Sequence, residues 1–143
     1  MFRQLLLGGG VNIINIAIHA LVMTLVVGVA RRAAANKSHP SLFLIAIMIP
    51  TVSVLMTTHT LEVFVWALAY SLVDAAPPGS NLVYFAFVNY TTLGYGDVVP
   101  VERWRLLGPM TAMNGVLLFG WSTAVIFEVL RKALRSDVSK DTR

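Results

Sequence analysis

The sequence predicts an all-alpha membrane protein of three spanning helices, with a short re-entrant helix and a stretch of non-helical backbone held inside the membrane before the last span. Three observations carry this. Of the 143 residues, 57% are hydrophobic and only 13% charged, against about 25% in an ordinary soluble domain, so the outer surface faces hydrocarbon. Three apolar stretches reach the roughly 20 residues that a crossing needs. A fourth, 81–90, is apolar and aromatic but too short to cross, and it runs into Thr91-Thr92-Leu93-Gly94-Tyr95-Gly96-Asp97-Val98-Val99-Pro100. The lack of cysteine removes disulfides, thiolate chemistry and cysteine metal sites together. A nucleic-acid reading fails, because the basic residues form no continuous stripe and interleave with no aromatic track.

The first span is 11–30, twenty residues or about 30 Å of helix, and it ends at Arg31-Arg32. That run is longer than the roughly 7–15 apolar residues of a signal peptide, so it is expected to stay in the mature protein. A polar linker, 33–39, holds Lys37, Ser38 and His39, with Pro40 suited to a first helical turn and Ser38 or His39 just outside it. The second span, 41–73, is longer than one crossing requires. It must tilt, project or bend, and Pro50, which removes the bond to residue 46, is a place for a bend. Ala76-Pro77-Pro78-Gly79-Ser80 stops it. Residues 81–90 are expected to enter the membrane and stop, leaving irregular backbone at depth, which is tolerated where protein surrounds it or where it lines a cavity. Residues 101–105 return to the surface, and the third span is 106–130, closed by Arg131, Lys132 and Arg135.

Charge sets the expected orientation. Arg31, Arg32 and Lys37 lie between spans one and two, and Arg131, Lys132, Arg135, Lys140 and Arg143 follow span three; both groups belong in the cytoplasm. The N-terminus is then outside and the C-terminus cytoplasmic, with Arg3, Arg103 and Arg105 the minority exceptions. The eight residues after Arg135 are expected to form a short tail that buries no core. The domain division is 1–35 for the N-terminal helix and linker, 36–135 for the central unit and 136–143 for the tail.

Within 91–100, Gly94 and Gly96 permit the dihedrals that point successive carbonyls one way. One strand of backbone offers one row of carbonyls, whereas an ion must be ringed on all sides, so a single copy of the loop predicts a cyclic homotetramer. The string Thr92, Leu93, Gly94, Tyr95, Gly96, Asp97, after a short aromatic helix and before a span, resembles the selectivity filter of the potassium channel family. The likeness is to the small bacterial pore-only members and covers 41–135. It implies a potassium-channel pore domain of outer helix, re-entrant pore helix with filter, and inner helix, with one extra N-terminal transmembrane helix. The implied K+ ligands are the carbonyls of Thr92, Leu93, Gly94 and Tyr95, the Thr92 hydroxyl completing the innermost site. Tyr95 looks like the ring that braces the filter width, and Asp97 like the acid that hydrogen-bonds behind the outer mouth; Thr91 and Tyr90 count with Asp97 as filter support. Leu93 replaces the commoner valine, and Asn89-Tyr90 stands where many relatives carry a bracing tryptophan pair.

The function so implied is passive, selective potassium conduction in a bacterial inner membrane, with no enzyme activity and no cofactor beyond the permeant ion. The lipid bilayer and the other subunits are the expected partners, and a regulatory subunit is left open. The alternatives are a weakly selective monovalent cation channel and a non-conducting subunit of a larger assembly. In span three, Gly108, Gly115 and Gly120 each cost about 1 kcal/mol of helix propensity; Gly120, and with it Gly115, is a candidate hinge or gate, or else a packing contact. Thr111 and Asn114 share a face toward either the water below the filter or the pore helix. Glu128 either draws cations to the inner mouth or pairs with Arg131.

Span one carries Asn12, Asn15 and His19 on one face, at i, i+3 and i+7. Span two offers Thr57, His59, Thr60 and Glu62 at comparable depth. His19, His59, Glu62 and Asn15 therefore form a candidate intramembrane cluster, read as polar glue between helices, as a proton-sensitive device or as a metal site. No arginine repeat supports a voltage sensor. Trp66, Tyr70 and Trp104 are expected in an interfacial aromatic belt.

Overall fold

The computed structural model describes residues 1–34 and 40–138. Among the described residues four helices follow in chain order, α1 Phe2–Ala34, α2 Pro40–Leu72, α3 Leu82–Tyr90 and α4 Leu107–Val138, with a 3-10 turn at Glu102–Trp104 before the last. Three stretches, Phe2–Arg32, Leu44–Leu72 and Glu102–Lys132, are long and apolar enough to cross a membrane. Ala33 and Ala34 of the expected linker are the end of α1; the rest of it, with Lys37 and with Ser38 or His39 beside Pro40, lies outside the described residues, as do Lys140 and Arg143.

α1 begins well before the expected start at residue 11, although Gly8, Gly9 and Gly10 are poor helix formers. Tertiary contacts explain the extension. The Gln4 side-chain oxygen accepts from the Leu106 backbone N–H at 2.8 Å, satisfying a donor that the start of α4 would leave orphaned, and Gly8 lets α1 approach Met110 and Leu107 of α4. α2 is one continuous helix of 33 residues through Pro50, about 50 Å long, so it exceeds the hydrocarbon thickness without breaking at the proline.

After α2 the chain turns with Asp74 and Gly79 at positive φ. The Ala75 N–H donates to the Tyr70 carbonyl, and the Ala75 carbonyl accepts from Val101 N–H at 2.9 Å, which ties the loop entering α3 to the one entering α4. Asn81 caps α3, its side chain accepting from Tyr84 N–H at 3.0 Å. With nine residues, α3 reaches only about 14 Å, and it packs between α2 and α4 while α1 lies against α4 and α2.

Two apolar cores result. The one on the loop side joins Val11, Val63, Trp66, Tyr70, Phe85, Tyr90 and Leu107; the other joins Met23, Ala30, Ile47, Leu55, Val125 and Val129. Between them lies a layer of buried polar side chains, Asn15, His19, His59, Glu62, Asn114 and Ser122. Trp66 and Tyr70 are fully buried, which corrects their placement in an interfacial belt: the Trp66 indole N–H donates to Asn114 Oδ1 at 2.9 Å and the Tyr70 hydroxyl pairs with Thr111. Trp104 is half-buried.

Candidate functional site

α3 ends where the loop begins, and the loop's first N–H groups fold back on the helix. Thr92 N–H donates to the Asn89 carbonyl at 3.0 Å and Leu93 N–H to the Val88 carbonyl at 2.9 Å. Thr92, Gly94 and Gly96 then have φ of 60°, 61° and 77°, while the intervening Leu93 and Tyr95 stay at negative φ. In a regular strand successive carbonyls alternate sides; alternating the hand of the backbone at every residue instead turns successive peptide planes the same way. Glycine adopts the left-handed region without cost. Thr92 does not: a β-branched residue there is an outlier, costing about 1–3 kcal/mol. That strain was not foreseen from the sequence, which marked only the two glycines.

Every residue of 91–97 is exposed on the single subunit, with Leu93 at 54% and Tyr95 at 68%. The Tyr95 ring is thus not held by its own chain. Thr91 bonds backward, its hydroxyl donating to the Phe87 carbonyl at 2.7 Å. Asp97 is held by Tyr84, whose hydroxyl donates to Oδ2 at 2.7 Å. Tyr84, at the start of α3, went unremarked in the sequence; Asn89 and Tyr90, which stand where many relatives carry a bracing tryptophan pair, turn their side chains toward α2. Asn89 Nδ2 donates to the Tyr70 hydroxyl at 3.4 Å, and the Tyr90 hydroxyl donates to Glu62 Oε2.

Behind the loop, the structure brings His19, His59, Glu62 and Asn15 together. His19 Nδ1 lies 2.8 Å from Glu62 Oε1 and His59 Nδ1 3.0 Å from Oε2. His59 Nδ1 is also 3.0 Å from the Tyr90 hydroxyl, and its Nε2 is 2.9 Å from Ser122 Oγ. Ser122 Oγ lies 3.4 Å from His19 Nε2. Asn15 Nδ2 donates to Asn114 Oδ1 at 2.9 Å and to the Glu62 carbonyl at 3.2 Å. Aromatic rings close the site: Trp121 lies tilted against His19 and Phe119 tilted against His59. Thr57, exposed, and Thr60, half-buried, take no part, their hydroxyls donating to the Ser53 and Met56 carbonyls of their own helix.

His19, His59 and Glu62 present ligand-type atoms within 4.8 Å of one another, close enough for an ion. Each of those atoms already has a hydrogen-bond partner in the protein, so the set is complete as a network without one. Thr111 and Asn114 face α2 and α1 rather than a water-filled path. A Cβ built on Gly115 would collide with the Tyr90 carbonyl, whereas among the described residues no atom comes within 4 Å of one built on Gly120. Glu128 is paired with Arg131 and Lys132, which removes it as a free cation-attracting charge.

A family model described as ion channel matches residues 58–132, a little over half of the chain. The matched span starts beside His59 in α2, takes in α3 and the loop, and ends near the far end of α4. No curated protein and no solved structure gives a match.

Proposed function

Because the chain belongs to the ion channel family, a multi-pass membrane protein with three apolar helices of spanning length, we propose that it conducts potassium ions passively and selectively through a homotetrameric pore. The observation that carries this reading is the alternating hand of the backbone at Thr92, Gly94 and Gly96. Four such segments around one axis would offer the carbonyls of Thr92, Leu93, Gly94 and Tyr95, with the Thr92 hydroxyl, in place of the water shell of a dehydrated K+. The exposure of 91–97 on one subunit fits a surface that neighbouring copies and the ion path complete.

Other parts of the site act on charge. α3 points its C-terminal end at Thr91, so the negative end of its dipole faces the foot of the loop, where it favours a cation. Asp97, held by Tyr84, places a carboxylate at the opposite mouth. In the bacterial inner membrane that the family resemblance implies, the basic ends of α1 and α4 set the loop's mouth on the outside, with the N-terminus outside and the C-terminus cytoplasmic. Conduction makes and breaks no covalent bond, and the permeant ion is the only ligand it needs.

The test is potassium efflux from liposomes holding the purified protein. Native protein is expected to release trapped K+ down its gradient. Gly94→Ala, which forces a side chain into the left-handed region at about 1–2 kcal/mol per subunit, is expected to abolish release while the protein still elutes as a tetramer. Undiminished efflux from Gly94→Ala would overturn the assignment of the ion path to this loop.

A further inference from the structure

The polar layer behind the loop contains a closed ring. His19 Nδ1 meets Glu62 Oε1, Glu62 Oε2 meets His59 Nδ1, His59 Nε2 meets Ser122 Oγ, and Ser122 Oγ returns to His19 Nε2, four links in all. Each link requires one hydrogen between its heavy atoms. When Ser122 gives its single hydroxyl hydrogen to one of the four links, the other three must be carried by Glu62, His19 and His59 together. An ionised carboxyl with two neutral imidazoles carries only two. The satisfied ring therefore holds one proton more, and its net charge is zero wherever that proton sits, on Glu62 or on either imidazole.

The charged alternatives are worse. With one proton fewer, one link sets acceptor against acceptor and leaves a net negative charge among side chains that are almost wholly buried. With one more, both imidazoles are cationic against a single carboxylate, and the Ser122 hydrogen is turned out of the ring. A net charge in a buried intramembrane layer is costly in either sign. The titratable groups facing one another here are His19 from α1, His59 and Glu62 from α2 and Tyr90 from α3; α4 meets them with Ser122, Phe119 and Trp121.

Tyr90 links the ring to the loop. Its hydroxyl donates to the same Glu62 oxygen that faces His59, and it is the last residue of α3, immediately before Thr91. A net negative ring strengthens the hold of Glu62 on that hydroxyl, and a net positive ring weakens it. We infer that His19, Glu62, His59 and Ser122 form a buried binding site for one proton, and that Tyr90 passes its occupancy to the foot of the loop; the second half rests on the conduction reading above.

Two readouts test the halves separately. The first is magnetic resonance of imidazole nitrogens and glutamate carboxyls in bilayers, in a His39→Asn background that leaves the two ring histidines alone. At neutral pH the summed protons on Glu62, His19 and His59 are expected to be three, and a sum of two or four overturns the proton site. The second is potassium current across about pH 5 to 9, the range where imidazoles titrate, in native protein and in Tyr90→Phe. The native current is expected to change over the pH interval where the sum changes, and Tyr90→Phe to lose that change. A native current that stays constant through that interval overturns the coupling. Absence of current at every pH, with the sum at three, supports the proton site and counts against the conduction reading.

Discussion

Gly115 and Gly120 lie on the same helix with opposite surroundings. Gly115 has no room for a side chain, because the Tyr90 carbonyl and ring occupy the place where a Cβ would go; its role is close approach of α4 to the end of α3. Gly120 has open space around it within the subunit, so its lack of a side chain is not demanded by intrasubunit packing. The two alanine variants should therefore part. Gly115→Ala is expected to lose about 1–3 kcal/mol per subunit through overpacking, read as a lower unfolding temperature in detergent. Gly120→Ala is expected to hold or gain stability, by up to about 1 kcal/mol from helix propensity. Equal losses at both positions would show that neighbouring subunits, and not Tyr90, decide the effect.

At the scale of elements, α1 is attached to the rest by the polar layer as much as by apolar contact. His19 and Asn15 satisfy Glu62 and Asn114, which are buried whether or not α1 supplies partners. Asn15→Ala is expected to cost about 0.6–2 kcal/mol, the range for an interhelical hydrogen bond in a membrane. His19→Ala is expected to cost more, about 3–5 kcal/mol, since it leaves one end of a buried carboxyl unpartnered. Thermal unfolding of both variants in one detergent gives the order directly, and a larger loss for Asn15→Ala would contradict it. The meeting of α1 with α2 was legible because Asn15 and His19, and likewise His59 and Glu62, fall on one helical face and lipid cannot solvate them. The burial of Trp66 and Tyr70 was not, since an aromatic ring with one polar atom suits an interface or a core equally; the choice is made by Asn114 and Thr111, which the chain supplies only in α4. Tyr84 escaped notice for a similar reason. Its partner Asp97 lies across the loop, and helix phase, not sequence adjacency, decides which aromatic of α3 reaches it.

For the whole molecule, the single chain leaves apolar surface uncovered in two places. Leu93, Tyr95 and Val99 stand exposed at the loop, and Met113, Val116, Leu117 and Phe127 of α4 leave an apolar face uncovered. α1 and α2 expose Ile13, Leu21, Leu25, Ile45 and Ile49, side chains suited to lipid. The spans and the short helix were legible in length and hydropathy alone, and the loop in a single string of residues. The start of α1 at Phe2 was not, because it depends on Gln4 and Gly8 meeting α4. On the proposed reading, four copies of 92–95 replace potassium's water shell and reject sodium. That selectivity is tested most directly by the reversal potential of the reconstituted protein under opposed potassium and sodium gradients. A value at the potassium equilibrium potential is expected; a value midway between the two ions' potentials would contradict selective conduction and leave a cation pore without selectivity.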